Sequence, residues 1–417
     1  MNRSTAIHCL PAYGGNRSTL NVEPLNRIYL DYSASTPLHP DVADIMHSVE
    51  AEYTANPSSI HWNGRQARKR LEESRETIAR LLGAANDEIY FTSGGTEADN
   101  EALLGTFFAA KGKNKNHLIV SAIEHHAVLR TAEYIRSLGA ELTVIPVDKK
   151  GVIDPQDVIA ALRPSTFLVS IMLVNNEIGT VQPVYEIARQ AKERGVLIHT
   201  DAVQAAGKID INMDSLPVDL LSVSAHKIYG PKGIGGLYVR KGTALSPLLF
   251  GGGQEAGRRP GTENIAGAAG FAAALNLCTV KMESENNRLK NLKSMLANGI
   301  KKHYPDITVN TEGTDTIPQI LSISFDSKAY NIDGDALILG MDLQGVSVTS
   351  GSACTSGSLQ PSHVLMAMGH DEATSRASIR FSTGIWTTEQ DIRDAVQALQ
   401  EVVKIANRGS RIAAGGL

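Results

Sequence analysis

Three residues in separate segments carry side chains suited to covalent chemistry. Lys227 follows the largely apolar run 218–223, Asp201 follows the apolar run 195–199, and Cys354 lies among small residues in 349–358. A lysine amine can bind an aldehyde cofactor covalently, and a carboxylate can pair with the ring nitrogen of such a cofactor. A cysteine thiolate is a second nucleophile. Together the three residues predict an enzyme with a lysine-bound aldehyde cofactor and a reactive thiol.

Each of these residues also has an ordinary structural explanation. Asp is a preferred helix N-cap residue, so Asp201 alone fits either role equally well. Most lysines face solvent, but the glycine-rich continuation 230–236 indicates a tightly shaped backbone after Lys227. Cys354 alone is a small loop residue, although exposed thiols oxidise and are costly to keep without a use.

Composition narrows the class of protein. The chain has 417 residues, of which 42% are hydrophobic, so it can form two or three domains, or two unequal ones that share a cleft. The net charge of −4 favours neither a nucleic-acid nor a membrane partner. Without a run of 18 apolar residues, the sequence predicts no membrane span.

The number of cysteines and the composition of the N-terminal region indicate the cellular compartment of the protein. Cys9, Cys278 and Cys354 are too few and too scattered for a disulfide framework or a zinc ribbon, which favours a reducing, cytoplasmic location. Cys278 is predicted to be buried. Residues 1–27 lack the apolar stretch of a secretory signal and are predicted to form a flexible extension; a weak organellar transit peptide stays an alternative.

The order of predicted elements indicates an α/β fold. Between residues 41 and 280, short β-branched runs alternate with helical stretches, a pattern typical of a parallel sheet with helices on both faces. Residues 234–240 predict one further strand, for which an antiparallel orientation is open. A polar helix from about residue 282 to 304 leads to a smaller α+β region with strands at 319–325 and 377–381 and helices at 334–344, 363–368 and 388–405.

One junction has the pattern of an anion site. Residues 91–100 (FTSGGTEADN) form a strand, a glycine turn and a helix start, where free N–H groups and the helix dipole attract negative charge. Gly94 and Gly95 permit close backbone approach, and Thr96 adds a hydroxyl donor. Taken alone, a plain capped turn explains the segment equally simply.

Several further residues end predicted strands, where ligands bind in open α/β sheets. An imidazole such as His125 can stack on a flat ring or move a proton. A surface loop position is the alternative for His125, and a turn position is the alternative for Asn176, a comparable strand-end donor. Gln204 could reach a phenolic oxygen, and Ser224 and His226 could face a phosphate.

Arg380 and the 252–264 loop have two explanations each. Arg380 lies mid-strand among apolar residues, so its guanidinium needs an anionic partner, which is either a substrate carboxylate or an internal salt bridge. The loop is rich in donors and either completes a cofactor site in a neighbouring subunit or is an ordinary connection.

As a set, these motifs resemble the cysteine desulfurases of the class V aminotransferase group, which use pyridoxal 5′-phosphate (PLP), and the NifS and IscS kind in particular. The resemblance covers residues 28–405. Its most specific segments are 224–233 (SAHKIYGPKG), 199–204 (HTDAVQ) and 350–356 (SGSACTS). Segments 29–34 (YLDYSA), 56–59 (NPSS) and 257–262 (GRRPGT) support it.

The resemblance implies a PLP-dependent, aspartate-aminotransferase-like fold and a homodimer. It places a large PLP-binding domain at residues 41–280 and a small domain at 28–40 and 281–417. Lys227, Cys354 and His125 would be catalytic, and Arg380 and Asn176 would bind the substrate. Lys227 would hold PLP covalently. The other cofactor contacts would be Gly95, Thr96, His125, Asn176, Asp201, Gln204, Ser224, His226 and, from the other subunit, Thr262.

The implied activity converts L-cysteine to L-alanine and leaves a persulfide on Cys354. That sulfur would pass to an acceptor protein for iron–sulfur cluster or thio-cofactor biosynthesis, and Cys354 would touch metal only as a transient iron–sulfur ligand. The alternatives are a selenocysteine or cysteine-sulfinate lyase, another class V aminotransferase-type enzyme, or a non-enzymatic scaffold. Residues 1–27 and the tail 407–417 depart from the family pattern.

Overall fold

The computed structural model describes residues 27–350 and 360–414, with side chains described as far as residue 405. Cys9 and Cys354 therefore lie outside the described residues. The strands are β1 (Ile28–Tyr29), β2 (Ile89–Thr92), β3 (His117–Ser121), β4 (Glu141–Ile145), β5 (Thr166–Ser170), β6 (Leu197–Asp201), β7 (Leu220–Ser224), β8 (Gly235–Val239), β9 (Ile307–Val309), β10 (Ile320–Phe325), β11 (Val346–Ser347) and β12 (Ser378–Ser382). The α-helices are α1 (Pro40–Glu52), α2 (Trp62–Leu82), α3 (Gly95–Ala110), α4 (His126–Ser137), α5 (Pro155–Ala161), α6 (Val184–Lys192), α7 (Ile265–His303), α8 (Gly334–Leu343), α9 (His363–Ala367), α10 (Glu372–Arg376) and α11 (Glu389–Ala414).

A seven-stranded sheet forms the centre of the fold, in the order β2-β8-β7-β6-β5-β3-β4. All neighbours from β7 to β4 pair in parallel, whereas β8 runs antiparallel to both β2 and β7. Strands such as β3, β5 and β7 are buried along their whole length. This arrangement confirms the predicted α/β fold with a mostly parallel sheet.

Helices cover both faces of this sheet, which explains why its strands are continuously apolar. On β3, Leu118 and Val120 face the core beneath α3 and α4, while Ile119 faces the core on the side of α2 and α7. Side chains alternate along a strand, so each short strand supplies both cores.

Helix α7 is longer than predicted, because it begins at Ile265 and not near residue 282. Its first half is rich in Ala and Gly and packs against α1 and α2, so it lacks the polar face that marked the second half. By length and composition α7 is the one helix of the described residues that meets the criterion for a membrane span, but most of that stretch is buried.

A second hydrophobic core lies around the antiparallel sheet β12-β10-β9. It contains residues of α8, α11 and the second half of α7, together with Leu30 from the segment after β1. Strand β1 pairs in parallel with β11, and Thr36 donates its backbone N–H to the carbonyl of His226. The segment 30–36 therefore runs from the second core to the end of β7 in the central sheet.

Candidate active site

A cavity of about 470 Å³ opens at the carboxyl ends of β6 and β7. Among the described residues it collects every predicted site residue except Thr262. The lining residues are Asp31, Ser33, Ala34, Gly95, Thr96, Asp99, His125, Met172, Asn176, Asp201, Val203, Gln204, Ser224, His226, Lys227, Thr349 and Arg380.

Lys227 projects into this cavity from the short 3₁₀ turn that follows β7. Its Nζ donates to the carbonyl oxygens of Ser33, at 2.6 Å, and Ala34, at 2.8 Å. Burial, and then the positive charge of Arg380, lower the pKa of Lys227 to about 8. The fraction of the amine that is neutral and nucleophilic near neutral pH is therefore much larger than for an ordinary lysine, although the protonated form still predominates at pH 7.

Asp201 is the last residue of β6 and places a carboxyl group in the wall of the cavity. Its Oδ1 accepts the N–H of Val203 at 2.9 Å, and burial raises its pKa to about 6. Asp99, from α3, lies in the same wall, and burial followed by the charge of Asp201 raises its pKa well above the usual value. Two buried carboxyl groups cannot both ionise cheaply, so this wall favours a cationic group opposite it.

Hydrogen bonds between His199 and the two neighbouring strands hold β6 in place just before Asp201. His199 precedes Asp201 by two residues and so lies on the same face of β6. Its Nδ1 and Nε2 lie 2.8 Å from Ser170 Oγ and 3.0 Å from Ser222 Oγ, on the two neighbouring strands. Burial lowers the pKa of His199 to about 3, so the imidazole is neutral.

Ser224 and the start of α3, which line the same cavity, have the features of an anion site. Helix α3 begins after Gly94, which has φ 155° and ψ −175° and provides no side-chain cap, so the first-turn N–H groups are available. The Oγ of Ser224 is buried without a hydrogen-bond partner in the described chain. A Cβ on Gly94 would lie 3.7 Å from this oxygen, so glycine keeps the approach open. A phosphate group satisfies these donors.

His125 caps α4, and its Nδ1 accepts the N–H of Ala127 at 3.1 Å. In the neutral ring the proton is therefore on Nε2. The His125 side chain lines the cavity, and desolvation by the surrounding protein, followed by the positive charge of Lys227, lowers its pKa to about 4. The imidazole is neutral at pH 7 and can donate or accept a proton.

Arg380 reaches the cavity from the middle of β12. Its two terminal nitrogens donate to Asp31 Oδ1 and to the backbone carbonyl of Asn176, both at 2.8 Å, whereas its buried Nε has no partner within the described structure. The internal salt bridge that the sequence left as an alternative is therefore present. Because the guanidinium also lines the cavity, Asp31 is positioned to compete with a substrate carboxylate.

Among the described residues, Thr262 is the one predicted site residue that does not line the cavity. Thr262 is exposed. Seven residues earlier, Glu255 forms a buried ion pair with Arg75, in which Oε1 and Nη2 lie 2.7 Å apart. Cys354 lies outside the described residues. Thr349, five residues earlier, lines the cavity, and its backbone carbonyl accepts the backbone N–H of Arg380 at 2.6 Å. In the described part of the chain no cluster of three potential metal ligands occurs.

Sequence reasoning missed several lining residues. Asp31 and Ser33 belong to the 29–34 motif, which was quoted for the resemblance but given no role. Asp99 follows Thr96 by three residues, and this helical spacing puts both on one face of α3, so the signal was available. Ala34 belongs to the same 29–34 motif, Val203 to the 199–204 motif and Thr349 to the segment 349–358, none of them with a predicted role. No motif contains Met172.

Comparison with known proteins decides the family. Residues 28–394 match the sequence model of a family described as Aminotransferase class-V. The chain is 46% identical, over 377 residues, to a protein of Dictyoglomus turgidum named cysteine desulfurase IscS, and the match covers 90% of this chain and 94% of that relative. The chain belongs to the class V aminotransferase family. Within that family it groups with the cysteine desulfurases of the NifS and IscS kind, whose cofactor is PLP.

Solved structures agree with this assignment. A structure described as a NifS-like protein superposes with a TM-score of 0.84 at 35% identity, covering 91% of this chain and all of that one. A structure described as SspA in complex with cysteine gives a TM-score of 0.76 at 36% identity, covering 87% of this chain and 100% of the other. The predicted family, fold and PLP cofactor are thereby confirmed.

The residues present fit PLP at both ends. The unpartnered Ser224 hydroxyl and the open start of α3 suit the phosphate, and the acidic wall formed by Asp201 suits a protonated ring nitrogen. Lys227 lines the same cavity and supplies the amine.

Proposed function

We propose that this chain converts L-cysteine to L-alanine and retains the sulfur as a persulfide on Cys354. The observation that carries the proposal is the convergence of three groups on one cavity: the Lys227 amine, the Asp201 carboxylate and the unpartnered Ser224 hydroxyl. The segment that contains Cys354 begins at the edge of this same cavity, at Thr349.

The cofactor contacts follow from the cavity lining. Ser224, Gly95, Thr96 and His226 would hold the phosphate, Asp201 the ring nitrogen and Gln204 the phenolic oxygen, while His125 would stack on the ring. When bound, PLP supplies an electron sink that stabilises negative charge at the substrate Cα.

Lys227 is the proposed base for the Cα proton. Its depressed pKa leaves the amine able to accept a proton near neutral pH. The carbonyl oxygens of Ser33 and Ala34 already accept hydrogen bonds from Nζ, so they can hold the ammonium form once the proton has moved.

Arg380 is the proposed site of the substrate carboxylate. Guanidinium and carboxylate groups pair in a two-point fork geometry, and the unpartnered Nε leaves donor capacity after the bond to Asp31. Asn176, whose carbonyl accepts from Arg380, fixes the guanidinium beside the cofactor position.

In the sulfur-transfer step the Cys354 thiolate attacks the substrate sulfur. An S–S bond forms, the substrate Cβ–S bond breaks, and Cβ gains a proton, for which His125 is the proposed donor. The sum is cysteine plus thiol giving alanine plus persulfide, so no external oxidant is required. Five residues of chain span at most about 18 Å, which keeps Cys354 within reach of the cavity edge at Thr349.

The persulfide would then pass to an acceptor protein of iron–sulfur cluster or thio-cofactor biosynthesis, during which Cys354 would be a transient iron–sulfur ligand. The proposal includes a homodimer, because the exposed Thr262 would reach the phosphate site of the partner subunit. It also includes a cytoplasmic location. The large domain at 41–280 and the small domain at 28–40 and 281–417 are proposed as the units that enclose the cleft.

The test is to incubate the PLP-loaded protein with L-cysteine and measure alanine and the mass of the Cys354 peptide. We expect alanine and a persulfide on Cys354 in equal amounts during the first turnover. Alanine without modified Cys354 would contradict the role of the thiol, and a keto acid formed instead of alanine would indicate an aminotransferase. A much faster reaction with selenocysteine or cysteine sulfinate would favour those lyases.

A further inference from the structure

Lys208 is a buried lysine to which the reaction above assigns no role. Only 9% of its surface is exposed, and its Nζ donates to the Oε1 of Gln204 at 2.7 Å. Within residues 27–350 and 360–405, no carboxylate forms an ion pair with it. A buried ammonium group that has only an amide oxygen as partner is costly to maintain.

The bond from Lys208, together with the Ser33 carbonyl on the other side, fixes which end of the Gln204 amide faces the cavity. Since Oε1 accepts from Lys208, the amide nitrogen must point the other way, and it donates to the Ser33 carbonyl at 2.8 Å. That same carbonyl accepts from the Nζ of Lys227 at 2.6 Å. The N–H end of Gln204 is thus aimed at the site of the reactive lysine.

We propose that Lys208 is a positioning residue that holds the Gln204 amide with its N–H end toward the phenolic oxygen of PLP. The inference rests on the cofactor contacts proposed above. A phenolic oxygen of bound PLP accepts hydrogen bonds, so a flipped amide would place two acceptors against each other and lose a donor. Lys208 is not among the residues that line the main cavity, and it acts through its hydrogen bond to Gln204.

The surroundings of Lys208 explain why a purely structural role fits poorly. Burial, and then the charge of Lys227, lower the pKa of Lys208 to about 7, with Arg380 acting in the same direction and the Cys278 thiol opposing it. A side chain of similar length without charge would remove this penalty. Retaining the lysine therefore costs stability, as residues kept for function often do.

The experiment uses the full chain and compares Lys208→Met, Lys208→Arg and Lys281→Met. Lys281 is an exposed lysine on the small cavity that Lys208 also lines, so it is the matched control. We expect Lys208→Met to raise the Kd for PLP about tenfold, the loss of roughly one hydrogen bond to a charged group, and to shift the visible absorbance of bound PLP. Lys208→Arg, which keeps a donor, should recover most of the affinity, and Lys281→Met should match wild type.

Two further measurements separate positioning from structure. The PLP-free Lys208→Met protein should unfold at the same or a higher temperature than wild type, and in a Gln204→Leu background the Lys208→Met change should alter the Kd less than twofold. A destabilised or unfolded Lys208→Met protein, an unchanged Kd and spectrum, or an undiminished effect in the Gln204→Leu background would each overturn the role of Lys208 alone. If the wild-type chain bound no PLP, the proposed function would fail as well.

Discussion

The guanidinium of Arg380 donates to the carboxylate of Asp31 over 2.8 Å, in the wall of the cavity that also contains Lys227. The first residue comes from β12 and the second from the segment after β1. This contact gives the proposed substrate site an internal anion that a substrate carboxylate must displace or share.

Replacing Arg380 should therefore affect substrate binding more than cofactor binding. We expect Arg380→Ala to raise the KM for L-cysteine about 10- to 100-fold, the effect of losing charge-assisted hydrogen bonds, with PLP retained. Steady-state kinetics and the PLP content of the purified variant check this. An unchanged KM would remove Arg380 from the substrate site.

The depressed pKa of Lys227 predicts how PLP uptake depends on pH. Burial favours the neutral amine, so its fraction rises as pH increases through about 8, well below the usual value for lysine. Uptake of PLP by the cofactor-free protein should accelerate from pH 6.5 to 8.5 and then level off, as followed by visible absorbance. Lys227→Ala should show no covalent uptake; a rate that climbs steadily to pH 10 would contradict the lowered pKa.

The lowered pKa of Lys227 should also make the stability of the cofactor-free protein depend on pH. The pKa of Lys227 is lower in the folded cofactor-free protein than in the unfolded chain, so protonation on acidification favours unfolding. The free energy of unfolding relative to Lys227→Met should accordingly rise as pH increases from about 8 to about 10.5, where the unfolded lysine also loses its proton. Denaturant unfolding at several pH values measures it, and a difference independent of pH in that window would contradict the prediction.

Ser224 should matter only when a phosphate is present. Its hydroxyl has no partner among the described residues of the cofactor-free protein, so Ser224→Ala should leave the PLP-free unfolding temperature nearly unchanged. The Kd for PLP should increase about 10- to 100-fold through loss of a hydrogen bond to a charged group.

Thr200 provides the matched control for Ser224. Its hydroxyl is also buried without a partner in the described structure, but it does not line the cavity. Thr200→Val should leave the Kd for PLP within about twofold of wild type. Equal losses in the two variants would show that the effect of Ser224 is not specific to the phosphate site.

Replacing Cys278 and replacing Cys354 should have different effects on sulfur transfer. Cys278 is buried and donates to the Ile228 carbonyl at 3.4 Å, and burial raises its pKa to about 12, so it is a poor nucleophile. Cys278→Ala should keep persulfide formation, at a cost of about 1 kcal/mol in stability from the small cavity left behind. Cys354→Ala should keep the visible absorbance of bound PLP and lose sulfur transfer. Persulfide on the Cys354→Ala protein would identify a different nucleophile.

Much of this fold is encoded locally. The alternation of short β-branched runs with helices predicted the mostly parallel sheet, and the confirmed family follows from three contiguous motifs around Lys227, Asp201 and Cys354. The start of α7 was misplaced because its first half, at 265–280, is apolar on all sides and lacks the periodicity that marks an amphipathic helix.

What the sequence by itself determined is the set of chemical groups: an amine, a carboxylate and a thiol in motifs that specify a PLP enzyme, since side-chain chemistry and local motifs are properties of contiguous residues. Only the folded structure shows that Asp31 pairs with Arg380, that Asp99 lies beside Asp201, and that Lys208 donates to Gln204. The first two contacts join distant segments, and the charge state of every buried group depends on the desolvation and neighbouring charges that only the folded chain creates.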